Sequence, residues 1–351
     1  VKDMALNTVA AGRAWVYSHN IGRNAGAGMG FAQPVGVAPA KDGVLFVVSR
    51  GSDTNPSQRV SKVTVDEEFI TEFGTGGVAY AMTDPSNTAE PGKFVWITSV
   101  ALDRDENVYV SDEWLNRITV FDKDGNLLKT WGEAGEGEGQ LSGPSGLAFD
   151  ADDNLYVVNS ISSRVQRFTK DGRYLGGFGR KGGGEGELDM PWGISIDAKG
   201  DVYVADWNNH RVQKFSPDGT LLNTFGHGGT GPGSLRHPAS VAIDGDGDVY
   251  VVDWMNERVV IYNADAKPLT YLRGDAVELS KWGELSLAAN PDMQRRRRQV
   301  YDLEEQQRKF RMPTGCAFDR ATNRLIVCDS QRGRLQVYEK DKKYQEAQFN
   351  L

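Results

Sequence analysis

Residues Asp206 to Arg211, Asp-Trp-Asn-Asn-His-Arg, set a carboxylate, an indole, two amides, an imidazole and a guanidinium side by side. Such a set holds groups for proton transfer near neutral pH and oxygens for a divalent cation. Other chemistry-bearing positions are sparse. The four histidines are His19, His210, His227 and His237, with no His-Glu-x-x-His spacing, and no Cys-x-x-Cys occurs, so a zinc site would have to be assembled from distant segments. His237, directly before Pro238, is the histidine placed for acid–base work, and Arg50 is a candidate anion clamp. There is no Gly-x-Ser-x-Gly elbow for a serine nucleophile, and no helical pattern follows the glycine-rich runs 132–139 and 179–187 to make them phosphate loops. Asp-Gly-Asp-Gly-Asp at 244–248 resembles part of a calcium loop, lacks the closing glutamate, and reads as a turn.

The elements that must position these groups come from repetition. Arg117, Arg164, Arg211 and Arg258 follow one another at intervals of 47 residues, as do Asp112, Asn159, Asp206 and Asp253. A pairing such as Asp206 with Arg211, printed again as Asp112 with Arg117, Asp253 with Arg258 and Asp329 with Arg334, suits a loop clamp better than a catalytic dyad. The breaks in the rule are Asn159 and the pair Ser49-Arg50. Each unit holds four short strands rich in Val, Phe and Tyr, separated by Gly, Asp and Asn turns. The expected fold is all-β, a six-bladed β-propeller in one domain, with blades near 33–74, 94–132, 143–179, 190–226, 237–274 and 312–351. Residues 13–23 parallel the outer strand of another blade and close the ring, with 344–351 competing for that place.

These repeats resemble the NHL family, whose units read roughly Pro-x-Gly-Val-Ala-Val-Asp, then Asn-x-x-Tyr-Val-x-Asp, then Asn-x-Arg-Val, and the resemblance runs from about 30 to 343. It implies an NHL-type scaffold on which activity is grafted. Relatives that are peptidyl-hydroxyglycine lyases hold zinc with histidines at the entrances of first strands. The matching positions here are Val35, Thr98, Ser145, Trp192, Ala239 and Thr314, which argues against that chemistry. Gluconolactonase-type relatives hold a divalent ion with channel carboxylates and amides. By that resemblance Asp112, Asn159, Asp206, Asp253 and Asp329 would ring a calcium or zinc ion in the central channel.

If each first strand runs downward, the loops between second and third strands, and the crossings to the next blade, lie on one upper face. Insertions at 50–58, 75–95 and 275–310 then share that face, where long loops on a rigid ring commonly carry function. So do Trp96, Trp114, Trp192, Trp207, Trp254 and Trp282, and the rim tryptophans with Asn209 and His210 form a candidate ligand-binding surface. The insertion 275–310 reads as two helices, the first capped by Asp275 and the second starting at Pro291, forming a lid or docking arm. Arg295 to Arg298 read as a solvated helix face balanced by nearby acids.

The chain has 351 residues, a net charge of −8 and no apolar run of bilayer length, which disfavours nucleic acid and a membrane span. Cys316 and Cys328, the two cysteines, are expected as reduced thiols, consistent with a cytoplasmic setting; a secreted or periplasmic one follows if a leader was removed. The functional expectation is a propeller that binds a small molecule or a protein on its aromatic upper face. The alternative is a metal-assisted lyase or hydrolase at the channel mouth, with His237 or Arg50 assisting.

Overall fold

The computed structural model describes residues 7–52, 56–75, 89–300 and 307–344. They form six antiparallel sheets arranged as a six-bladed propeller. Blade four shows why these residues make strands. Its strands are Pro191–Ile196, Val202–Asp206, Arg211–Phe215 and Leu221–Phe225, paired in chain order. In the second of them, Tyr203 and Ala205 pack toward blade five while Val202 and Val204 pack toward blade three. Both faces are buried, so the strand reads as an unbroken apolar run rather than an alternation. The hydrophobic core is accordingly six walls, one between each pair of neighbouring blades.

Turn chemistry recurs at the lower end. Asp103, Asp150, Asp197 and Asp244 each use Oδ1 to accept the backbone N–H groups two and four residues on, at 2.8–3.0 Å. These bonds replace strand pairing at the point where the chain reverses.

The N-terminal candidate closes the ring. Strand Arg13–Ile21 pairs antiparallel with Arg334–Asp341, and Asn7–Ala10 adds a fifth strand outside it. The competing residues 345–351 lie outside the described segments. A buried ion cluster ties this seam. The Lys340 ammonium, fully buried, donates to Asp244, to Asp246 at 2.9 Å and to Asp248 at 2.8 Å. Burial opposes its charge, but the three carboxylates outweigh that and hold the ammonium above its ordinary range. The segment 244–248 is therefore a turn closed around a lysine.

The insertion after blade five leaves at Arg273 and returns at Phe310, whose N–H donates to the Arg273 carbonyl at 2.8 Å. It contains α1 (Lys281–Ala288) and α2 (Pro291–Arg297). The cap of α1 is Ser280 and not Asp275; the Ser280 hydroxyl accepts the Gly283 N–H at 3.1 Å. Asp275 is engaged at the root of the insertion, with its N–H on Gln336 at 2.9 Å and its carboxylate on Arg308 at 3.0 Å. Pro291 does begin α2, behind an Asn290 cap. Trp282 is 3% exposed, wedged between blades six and one with Phe31 at 6.1 Å. Glu67 of blade one accepts the N–H groups of both Lys281 and Trp282. The described part of the insertion thus braces the outer side of the closing blade, and none of it lines the channel.

Candidate functional site

The six inner strands enclose a cavity of about 410 Å³ along the propeller axis. At its upper entrance stand the six positions Val35, Thr98, Ser145, Trp192, Ala239 and Thr314. The Thr98 and Thr314 hydroxyls donate to the carbonyls of Pro144 (2.8 Å) and Pro34 (3.2 Å), so these groups fasten neighbouring blades. The charged side chains in the wall are Arg50 and Arg320, and the wall contains no Asp or Glu.

A second tier sits above the entrances. Each loop after a second strand places one residue immediately behind the repeated acid position, and these are Arg50, Glu113, Ser160, Trp207, Trp254 and Ser330. Arg50 donates from Nε to the Ile97 carbonyl at 2.9 Å, and its guanidinium carbon stands 4.7 Å from the centre of the Trp96 ring. Burial draws the guanidinium down to about 10, against the opposing pull of Glu113 and Asp112, so it stays charged at neutral pH. Among the described residues Arg50 forms no ion pair. Glu113, which sequence reasoning missed, has its carboxyl raised by burial, with Arg50 pulling the other way. Superposing the six repeats position by position is the signal that finds it.

Across the mouth, blade four and the entrance to blade five build an aromatic wall. Trp192 and Trp207 stack at 5.4 Å and 25°, Trp254 lies 6.4 Å from Trp192, and His237 lies 4.0 Å from Trp207. His237 occupies a left-handed backbone position, φ 54°. Its Nδ1 is 3.2 Å from the Trp207 carbonyl. A carbonyl only accepts, so Nδ1 carries the proton and Nε2 keeps the lone pair in the neutral ring. Burial lowers the His237 pKa, helped by His210 and Arg236 and opposed by the Trp207 carbonyl. The neutral form therefore dominates at pH 7.

Asn209 and His210 belong to the scaffold. Asn209 donates to the Gly182 carbonyl at 2.8 Å, as Asn256 does to Gly229 at 3.0 Å in the next blade. His210 accepts the His237 N–H through Nδ1 at 3.2 Å, the bond that Asn116 makes to Gly143 at 2.8 Å two blades earlier. Trp114 is 37% exposed and sits one residue beyond the second-tier position.

The proposed ring of metal ligands does not form. Asp112, Asn159, Asp206, Asp253 and Asp329 are fully buried outside the cavity wall. Asp206 accepts the Asp189 N–H at 2.7 Å and Arg211 Nε at 2.9 Å; Asp253 accepts the Arg236 N–H at 2.6 Å and Arg258 Nε at 2.7 Å. Asp329 does the same with Arg311 and Arg334, and Asp112 holds the Val95 N–H at 2.7 Å. Asn159 reaches Ser142 and Gln140 at 3.4 Å. Arg211, Arg258 and Arg334 continue onto carbonyls of the crossing loop, so the repeated pair is a clamp between two loops. Among the described residues no three His, Cys, Asp or Glu side chains converge on a point that could hold a metal, so the donors do not fit calcium or zinc. Cys316 lies in the channel wall with its thiol pushed up to about 12 by burial; it and Cys328 are free thiols. No described helix is long and apolar enough to cross a membrane.

Residues 188–215, in blade four, match the NHL repeat. No curated protein matches the chain. Among solved structures, a streptogramin B lyase is similar at 12% identity and TM-score 0.54, covering 89% of this chain and 95% of that one. A virginiamycin B lyase from Staphylococcus aureus gives 11%, 0.54, 92% and 98%. A gluconolactonase from Xanthomonas campestris gives 15%, 0.58, 94% and 90%. At such identities the likeness is one of fold.

Proposed function

We propose that this NHL-repeat propeller binds a small organic anion in the upper mouth of its channel, with the anionic group on Arg50 and the body of the ligand against Trp192. The observation that carries this reading is Arg50, a half-buried guanidinium without an ion pair among the described residues, set in a cavity wall that lacks acids. A half-buried cation that gives one hydrogen bond to a carbonyl has donors left over, and a carboxylate or phosphate takes them in two parallel bonds. Calorimetric titration with decanoate tests it. Arg50→Gln should weaken binding about tenfold or more, the scale of one charge-assisted hydrogen bond. Equal affinity of the variant and the wild type would sink the proposal.

A second reading is acid–base turnover of the bound anion, as a lyase or hydrolase that uses no metal, and it rests on the free Nε2 of a neutral His237. His237→Asn would then abolish turnover while leaving ligand affinity in place, and loss of affinity instead would count against it.

A further inference from the structure

We infer that the ligand of this channel is an elongated dianion with an apolar middle, its second anionic group held by Arg320 at the lower end. The inference rests on the reading of the upper mouth as an anion site. Arg320 follows the inner strand Pro313–Asp319 of blade six, and its side chain turns across the lower opening. Its Nε and Nη2 each lie 3.4 Å from the Ile243 carbonyl of blade five, and Nη2 lies 3.3 Å from the Ile196 carbonyl of blade four. It is exposed and forms no ion pair among the described residues. The corresponding turn positions in blades three, four and five are Ala151, Ala198 and Gly245, too short to reach the axis; blade two carries Arg104 there, which donates to the Ala151 carbonyl and is not part of the cavity wall.

The one cavity therefore has a guanidinium at each end, within a protein whose net charge is −8. Between them the wall presents the apolar side chains Val100, Leu147, Phe149, Ile194, Val241 and Phe318 among hydroxyls and backbone groups. Ser99, Ser195 and Ser240 are among the hydroxyls; those of Ser99 and Ser240 accept the N–H groups of Leu147 and Cys316, both at 3.3 Å. From Thr314 to Phe318 the strand rises about 13 Å, at about 3.3 Å per residue. A single anionic head at Arg50 leaves the lower guanidinium on three long, weak bonds to two carbonyls. A ligand that ends in a second carboxylate or phosphate at that depth replaces them with charge-assisted ones.

The test compares decanedioate with decanoate by titration calorimetry on the intact chain, its Arg320→Gln variant and its Arg50→Gln variant. The wild type should bind the diacid about tenfold tighter than the monoacid. Arg320→Gln should erase that difference while changing decanoate affinity far less, because the monoacid carries no anionic group for Arg320 to hold once its head is on Arg50. Equal binding of the two acids by the wild type, or an unchanged preference in Arg320→Gln, overturns the inference while the upper anion site stands. Decanoate binding that Arg50→Gln does not weaken, or no binding of either acid, overturns the upper site and this inference with it.

Discussion

The two ends of the channel are built by the same repeat and treat it differently. At the lower end one device recurs: an aspartate folds its carboxylate over the next turn in blades two to five. At the upper end the clamp of acid and crossing loop recurs as well, but the residue behind the acid is Arg, Glu, Ser, Trp, Trp and Ser in the six blades. A ring of copies keeps its scaffold chemistry constant and leaves one position per blade free to differ. The proposed ligand contacts fall where the copies disagree, and Arg320, at a turn position that is small in blades three to five and Arg104 in blade two, is a departure of the same kind at the lower end.

This contrast can be broken from the scaffold side first. Lys340→Ala leaves the buried Asp244 without a counter-charge, with Asp248 and Asp246 keeping Arg13 and Lys342, and should destabilise the fold by about 3–5 kcal/mol, seen in urea unfolding. A loss below about 1 kcal/mol, the range of surface pairs, would show that the cluster does not hold the seam. Asp253→Ala removes one acceptor from a clamp with several other bonds, and should cost about 3 kcal/mol while leaving the affinity for decanoate intact. Weaker binding in that variant would blur the division between scaffold and site.

A smaller effect sharpens the upper side. Burial depresses the His237 pKa below its ordinary 6.5, so the unfolded chain takes up this proton first as pH falls. The contribution to stability is complete above the unfolded value and is lost as pH drops through the folded one. His237→Gln should therefore flatten the fall in unfolding free energy from about pH 7 to about pH 5, and an unaltered slope would mean the ring is not desolvated.

The blades and their count were legible because a strand buried on two faces and an Asp turn are local patterns that repetition averages over six copies. What the spacing concealed was direction. Side chains alternate along a strand, so Asp206 turns back into its loop while Trp207, one residue on, turns to the rim. Equal height in the ring was mistaken for convergence, which is why the acids looked like a metal site. Contacts between blades were equally hidden: Lys340 meets aspartates 92 to 96 residues away, and the root of the insertion engages Asp275 through Gln336 and Arg308. Glu113 was missed because it sat beside a more conspicuous Trp114.

The closure strand has a consequence for how the molecule is made. Arg13–Ile21 finds its partner in Arg334–Asp341, and Trp15 donates to Tyr250 at 3.0 Å across 235 residues of chain. During synthesis this strand, whose other edge pairs with Asn7–Ala10, must wait for its inner partner until Arg334–Asp341 has emerged. Bringing such distant segments together is entropically expensive and belongs to the slow, high-contact-order class of folding. Until that step an incomplete ring presents free strand edges to its neighbours, so nascent chains of this protein should be most vulnerable to aggregation just before the last blade forms.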